Sequence, residues 1–162
     1  MSQTGMIAAH QHGSQLLTFG SLAEAETALF RERDRRLSVL SKAADGSNCF
    51  TCSFAPESLK NLERWYFEIL DAGAFPTFSL SQDDFEKCVA SYFGEVLVRH
   101  SPPFEWFVEE FVFDPGRYEI GIRRPLLALM LTGRKAPEPR ERNRRMQSLW
   151  REYRRCEIHG HG

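Results

Sequence analysis

The sequence predicts an α+β fold, a single domain in which about four helices pack on one face of a small, mainly antiparallel sheet with a central hairpin. Several segments place apolar residues at helical spacing behind capping signals. Two alternating segments flank Asp114-Pro115-Gly116, whose residue types favour a tight turn. The 162 residues contain no internal repeat and no domain-length linker, so we expect one domain over residues 16–156.

Two helices are predicted in the first half of the chain. Ser21 and Glu24 have capping-box spacing and stand at the start of an apolar stripe, which predicts a helix over residues 22–43. The next helix lies between Pro56 and Gly73. Proline suits the first helical turn and glycine suits the left-handed position after the last one.

A third helix is predicted after Ser81, which is a suitable N-cap, and it ends where Ser101 precedes two prolines. Its apolar residues cover one face and a flank, so we expect this helix to be central. A C-terminal helix is also predicted, because four apolar residues share one helical face. They are Met146, Leu149, Trp150 and Tyr153.

Residues 104–113 and 117–124 are the predicted strands of the hairpin. The apolar segment at residues 126–131 fits a strand or a short helix, because periodicity does not decide over six residues. That segment is also far too short to cross a bilayer.

Both ends of the chain lack periodicity. We predict that residues 1–15 are disordered and that residues 157–162 form a flexible tail rich in His and Gly. The first fifteen residues contain no Lys or Arg and no continuous apolar core, so they lack the features of a secretory signal. We therefore expect a cytoplasmic protein that does not associate with membranes.

Cys49 and Cys52 have the C-x-x-C spacing of redox and zinc sites. No βαβ pattern surrounds them, and Cys88 and Cys156 stand alone rather than as a second ligand pair. The alternation of residues 49–54 instead predicts a short structural strand with reduced thiols. A functional dithiol is the alternative.

No metal or cofactor is expected. His10 and His12 lie in the predicted disordered segment, and His159 and His161 lie in the tail, where mobile ligands make weak sites. No phosphate-binding glycine loop or nucleophile elbow is present.

Residues 92–111 combine aromatic and acidic residues and hold the candidate site. Glu95 and Arg99 are four residues apart on the third helix, the spacing of an ordinary surface ion pair. Carboxylates can also perform general acid–base chemistry. Glu95 or Glu109 is therefore the candidate general base if the protein is a small hydrolase or transferase.

Four residues share one side of the first hairpin strand: Glu105, Phe107, Glu109 and Phe111. If the other side of the strand faces the helices, this side presents Glu and Phe alternately to solvent. Exposed aromatic rings beside carboxylates are typical of a docking surface for a basic protein. The alternative is that a second layer, such as the C-terminal helix, covers the Phe side chains.

The C-terminal region is basic, with nine Lys or Arg against four Glu over residues 134–158. Seven of these arginines lie between Arg140 and Arg155, and together with Trp150 they fit a nucleic-acid-associated factor. The rest of the chain is acidic and would repel nucleic acid. A solvated or ion-paired helix surface is therefore the favoured interpretation.

Several features resemble a broad set of small, mostly uncharacterised bacterial α+β proteins, some of whose relatives are immunity proteins beside polymorphic toxins. The resemblance covers about residues 55–155. It rests on "YFGEVLVR" at a helix end, an aromatic strand, a hairpin and "SLWREY" in the last helix. The matching residues are Tyr92, Gly94, Glu95, Arg99 and Trp106; the "SPPF" gap departs from the Gly-containing turn usual there.

This resemblance implies an architectural role for four of the matching residues. Gly94 would allow close approach of the helix to a neighbouring element, and Glu95 with Arg99 would fix the helix to the hairpin at Trp106. We therefore expect a non-catalytic bacterial protein that binds a protein partner, an immunity protein against a basic toxin being the most specific version.

Overall fold

The computed structural model describes residues 9, 11–132, 139 and 147–158. Within these residues it has four α-helices of at least 11 residues, a short 3-10 helix and a four-stranded antiparallel sheet, so the predicted α+β fold class is confirmed. The α-helices are α1 Leu22–Asp45, α2 Ser58–Ala72, α3 Gln82–His100 and α4 Ser148–Ile158. The strands are β1 Leu17–Thr18, β2 Glu105–Glu110, β3 Arg117–Arg124 and β4 Leu127–Met130.

The helix ends follow the predicted capping chemistry. Ser21 Oγ accepts a hydrogen bond from the Glu24 amide at 3.2 Å, and Ser81 caps α3 in the same manner. Helix α2 ends at Gly73, whose φ of 60° is left-handed. These local signals fix where the first three helices begin or end, and therefore which faces they bury.

Strand β3 is the centre of the sheet. Strand β2 pairs along its full length on one side, with Trp106 opposite Ile122 and Glu109 opposite Glu119. Strands β1 and β4 pair with opposite ends of the other side, β1 up to Tyr118 and β4 from Gly121 onwards. Among the described residues, β2 is therefore an outer strand of the sheet.

Helices α1 and α3 pack on one face of this sheet. Val108, Tyr118 and Ile120 of the sheet form a buried cluster with Ala25 and Leu29 of α1. A larger core joins α2, α3 and α4 to the same face. Its largest fully buried side chains include Tyr92, Phe85, Phe93, Leu62 and Leu149.

The strand predicted over residues 49–54 is absent, which corrects that interpretation. The alternation itself is present: Phe50 is buried and Cys52 is half-buried, whereas Cys49 and its alternating neighbours are exposed. The segment is held by side chains rather than by a neighbouring strand. The Phe54 amide donates to Tyr92 Oη at 2.9 Å, and the φ of 57° at Phe54 turns the chain.

The folded region begins earlier than the sequence suggests. We predicted disorder over residues 1–15, but residues 11–13 are helical and His12 is buried. The physical reason is a hydrogen bond of 2.8 Å between His12 Nε2 and Glu119 Oε2 of β3. Residues 1–8 and 10 lie outside the described part, as do residues 159–162 of the predicted tail, while Glu157 and Ile158 belong to α4.

No helix in the described ranges is long and apolar enough to cross a membrane.

Candidate functional site: the hairpin and the junction beneath it

The junction between α3 and β2 is built around the carboxylate of Glu95. Its Oε1 accepts from Arg99 Nε at 2.7 Å, and its Oε2 accepts from the indole nitrogen of Trp106 at 2.9 Å. The Arg99 guanidinium also lies 3.9 Å from the centre of the Phe54 ring. Because both carboxylate oxygens of Glu95 already accept hydrogen bonds, the geometry favours a structural role over that of a general base.

Gly94 lies where α3 packs against Trp106 of β2. A Cβ at this position would come within 2.5 Å of Trp106 Cη2 and closer still to Leu131 Cδ1. Only glycine allows this approach without displacing either side chain. Gly94, Glu95, Arg99 and Trp106 thus lie together at one corner of the fold.

The exposed face of the hairpin differs in part from the prediction. Glu105 and Glu109 are exposed, but Phe107 and Phe111 are buried, with only 5% and 4% of their surface accessible. The expectation that this side presents alternating Phe rings to solvent is therefore wrong. The exposed carboxylates of Glu105 and Glu109 remain available for contact with another molecule.

The Phe107 ring is covered by Arg123 of β3 and packs against Gly121 of the same strand. Glu105 Oε1 accepts from Arg123 Nε across the two strands at 2.9 Å, and the Arg123 guanidinium lies 5.0 Å from the centre of the Phe107 ring. The position opposite Phe107 is Gly121, whose missing side chain leaves room for the ring. Phe107 therefore belongs to a small packed layer on the face away from α1 and α3.

The N-terminal segment covers Phe111. The His12 ring meets the Phe111 ring edge to face at 5.2 Å, and a Cβ on Gly13 would come within 2.9 Å of it. His12 also bonds Glu119, which lies directly opposite Glu109 in the sheet. Like charges in opposed positions destabilise a strand pair, so a hydrogen-bonded His12 offsets the cost of placing two acids there.

Sequence reasoning missed His12 and Glu119. The alternation of β3 places Glu119 on the same side as Gly121, and this pattern was available. His12 lies in a polar segment without periodicity, so no sequence pattern linked it to a residue more than a hundred positions away.

An exposed aromatic side chain lies at the turn of the hairpin. Phe113 is 56% exposed and contacts the Phe111 ring at 5.5 Å, so it adjoins the side that carries Glu109. We call Glu105, Glu109 and Phe113 the acidic hairpin surface. The aromatic member of this surface is Phe113 rather than Phe107 or Phe111.

The cysteines are free thiols in the structure. Burial raises the pKa of Cys52, Cys88 and Cys156 to about 11, and a hydrogen bond with Glu68 raises the pKa of Cys49. Thiols with raised pKa values are poor nucleophiles at neutral pH. These values favour reduced structural cysteines over a redox pair.

In the part of the chain that the structure describes, no three His, Cys, Asp or Glu side chains are grouped so that they could hold a metal ion. His10, His159 and His161 lie outside that part.

Helix α4 is held against the core by its apolar residues. Leu149 and Tyr153 are buried, and Lys60 of α2 lies over the Trp150 ring at 4.2 Å. Arg154 and Arg155 each pair with a glutamate of the same helix, Glu157 and Glu152 respectively. The basic residues between Arg134 and Arg145 lie outside the described residues, so the proposed nucleic-acid surface stays a sequence-based alternative.

The comparisons with known proteins point to one family. A family model described as "Uncharacterised protein YwmA" matches residues 18–157. A protein of Bacillus subtilis (strain 168) described as "Uncharacterized protein YwmA" is 25% identical over 114 residues, covering 70% of this chain and 72% of that protein. No solved structure matches the chain.

Proposed function

The chain belongs to the uncharacterised YwmA family, and we propose that it is a non-catalytic protein that binds a basic protein partner through the acidic hairpin surface. The main support for the proposal comes from the environment of the Glu109 carboxylate. This carboxylate is exposed and has no hydrogen bond or ion pair to any residue that the structure describes. A basic partner would supply the missing opposite charge.

The neighbouring groups extend this surface. Glu105 lies on the same side of β2, and its side chain is 62% exposed although it contacts Arg123. Phe113 adds exposed aromatic area at the turn. Interfaces are enriched in aromatic residues, and charges at their margin steer a partner of opposite charge. The surface therefore combines an aromatic anchor, Phe113, with carboxylates that attract a basic partner.

The backbone of β2 supports the same proposal. The Phe111 amide donates to the Arg117 carbonyl at 2.7 Å, and alternate residues of an antiparallel pair point towards and away from the partner strand. Backbone groups of Trp106, Val108 and Glu110 therefore point to the outer edge. An extended segment of another protein can pair with such an edge.

Exposed acids on an outer strand have a second use, because charges on an edge discourage aggregation with other strands. Either sign of charge serves that purpose. A Glu109→Lys variant therefore separates the two roles: edge protection would be retained, whereas attraction to a basic partner would become repulsion.

The first test is capture of partners from a bacterial lysate by immobilised wild-type, Glu109→Lys and Glu68→Lys chains. Glu68 is an exposed acid on α2, away from the hairpin, so Glu68→Lys changes the net charge equally. The proposal predicts a protein that the wild type and Glu68→Lys retain and Glu109→Lys loses. Equal retention by all three would contradict it.

A more specific version of this proposal is that the chain is an immunity protein and that its partner is a basic toxin, which it neutralises. An acidic surface that occupies the basic cleft of a nuclease would block substrate and bind rapidly through electrostatic steering. Co-expression with the protein encoded by the neighbouring gene tests this form. Toxicity that the wild type relieves and Glu109→Lys does not would support it, and a harmless neighbouring gene product would contradict this form while leaving partner binding to the capture experiment.

A further inference from the structure

A cleft lies between α1, α3 and the sheet, away from the acidic hairpin surface. We propose that it binds a small amphipathic molecule with an apolar body and a carboxylate head group. The cleft has a volume of about 610 Å³, within the range of roughly 300–1,000 Å³ common for small-molecule sites. It is therefore large enough for a ligand of metabolite size.

The cleft lies beside the part of β3 where the pairing changes from β1 to β4. Strand β1 pairs with β3 only up to Tyr118, and β4 begins its pairing at Gly121. Between these two pairings lie only Glu119 and Ile120, and the Ile120 carbonyl accepts from the Leu131 amide at 3.0 Å. Tyr118 and Ile120 line the cleft at this place.

The floor of the cleft is largely apolar. Leu29 of α1 and Ile120 of β3 belong to the buried cluster beneath it, and Trp106 contributes its indole ring. The apolar lining residues are Leu16, Leu17, Leu29, Trp106, Ile120 and Leu131. This floor would hold a hydrocarbon or aromatic body by burial of apolar surface.

The acids on the rim already have partners. Glu32 accepts from Arg35 and Arg36, and Asp83 pairs with Lys87. Glu86 accepts from Tyr66 Oη and from Gln82. A cationic head group would therefore find no unpaired carboxylate among the described acids that line the cleft.

The rim retains hydrogen-bond donors. A guanidinium has five N–H donors, and among the described residues Arg36 uses its Nε on Glu32 while Arg33 uses its Nε and Nη2 on Asp34. The Arg33 guanidinium lies 5.1 Å from the centre of the Trp106 ring, which keeps it beside the apolar floor. Both arginines line the cleft.

Thr132 supplies an independent observation. Thr132 lines the same cleft, and its Oγ1 is buried and has no hydrogen-bond partner in the part of the chain that the structure describes. A buried hydroxyl without a partner is unfavourable, because it has lost its hydrogen bonds to water. Unused donors of Arg33 and Arg36 together with this hydroxyl match a carboxylate, whose oxygens accept several hydrogen bonds.

The test uses calorimetric titration of the full chain with decanoate, decylamine and decanol below their micelle concentrations. These probes share an apolar body and differ in head group. The proposal predicts saturable binding of one decanoate per chain, with decylamine and decanol at least about ten-fold weaker, as expected for loss of charge-assisted hydrogen bonds.

Three variants locate the site. Arg36→Ala should weaken decanoate binding about ten-fold and Thr132→Val about five-fold, from the usual contributions of charged and neutral hydrogen bonds. Arg31→Ala removes an exposed arginine of α1 that does not line the cleft, and it should bind as the wild type does. Melting temperatures measured without ligand establish that each variant is folded.

Thr132→Val keeps the experiment decisive if Arg36→Ala fails to fold, because removal of an unpaired hydroxyl should not lower stability. Absence of saturable decanoate binding would overturn the proposal. Equal affinity for the three probes, or unchanged decanoate affinity in a folded Thr132→Val chain, would overturn it as well.

Discussion

At the scale of single residues, the junction between α3 and the hairpin depends on a glycine, because any larger residue would collide with Trp106 and Leu131. Gly94 lets Trp106 lie against α3, where the indole can donate to Glu95. Glycine in a helix interior costs roughly 0.5–1 kcal/mol relative to alanine. The close packing of Trp106 and Leu131 accounts for its presence here.

We predict that Gly94→Ala lowers the free energy of unfolding by about 1–3 kcal/mol, because the new methyl group overpacks the junction. Gly46→Ala is the control, since a Cβ there meets nothing within 4 Å and its φ of −88° suits any residue. Urea unfolding of both variants checks this. A Gly94→Ala chain as stable as the wild type would show that the junction can relax.

A second prediction at the residue scale concerns the rate at which the cysteine thiols are alkylated. Because burial raises the pKa of Cys52, Cys88 and Cys156 to about 11, these residues stay protonated at pH 8, and their alkylation should accelerate only as the pH approaches that value. Mass spectrometry after iodoacetamide treatment measures the modified positions. Rapid modification of Cys88 in the native chain at pH 8 would contradict this assignment, whereas exposed Cys49 can react first.

The sequence was sufficient to predict some of the site residues and not others. Glu95 and Arg99 are close in sequence, so helical spacing alone predicts their contact. The burial of Phe107 depends on Gly121 and Arg123 of the neighbouring strand. Alternation along one strand shows which residues share a side, but it does not show what covers that side.

At the scale of elements, α4 is held in place by a buried carboxylate of α2. Glu63 is 2% exposed and accepts from the amides of Ser148 and Leu149, each at 3.0 Å. These are amides at the first turn of α4, which have no partner within the helix. A negative charge at this end of the helix is also favourable to the helix dipole.

Glu63→Gln should therefore loosen α4. The amide keeps the size of the carboxylate but presents an N–H group where one oxygen accepts, and we expect a loss of about 1–3 kcal/mol in the free energy of unfolding. Hydrogen exchange of α4 and urea unfolding measure the effect. Glu68→Gln, an exposed change on the same helix, should leave both unchanged; equal effects of the two substitutions would rule out this docking role.

Element boundaries followed the sequence wherever a local signal exists. The Ser21 and Ser81 caps and the Gly73 terminus are such signals. Residues 49–54 alternate as a strand would, yet they pair with no strand in the described structure, because the Tyr92 hydroxyl takes the Phe54 amide instead. A side-chain partner 38 positions away is not visible in a short periodic pattern.

At the scale of the whole molecule, the N-terminal segment covers one end of the sheet face that the helices leave open. His12 bonds Glu119 and covers Phe111, and the Leu16 carbonyl accepts from Arg117 at 2.6 Å. The two hydrogen bonds join the N-terminal segment to residues of β3 that lie 101 and 107 positions further along the chain. The polar composition of residues 1–15 predicted disorder because it contains no signal for such contacts.

We expect His12→Ala to lower the free energy of unfolding by about 1–3 kcal/mol, since the buried Glu119 loses a hydrogen bond. The N-terminal segment should also become more sensitive to limited proteolysis. Gln11→Ala, at an exposed neighbouring position, is the control. If His12→Ala changes neither stability nor proteolysis, the segment does not depend on this contact.

The central proposal also concerns the whole molecule: we propose that the acidic hairpin surface, presented by a sheet whose opposite face carries the helices, binds a basic protein. Glu109 is the best residue to vary because its side chain makes no hydrogen bond or ion pair with another described residue that a substitution would break. Exposed changes of this kind usually alter stability by less than about 0.5 kcal/mol.

The most direct measurement is the dissociation constant of the captured partner for the wild type, Glu109→Gln, Glu109→Lys and Glu68→Lys at low and high salt. We predict progressive weakening from wild type to Glu109→Gln to Glu109→Lys, at least about ten-fold in total, with the differences reduced at high salt by screening. Glu68→Lys should bind like the wild type. Unchanged affinity of a folded Glu109→Lys chain at low salt would contradict the claim.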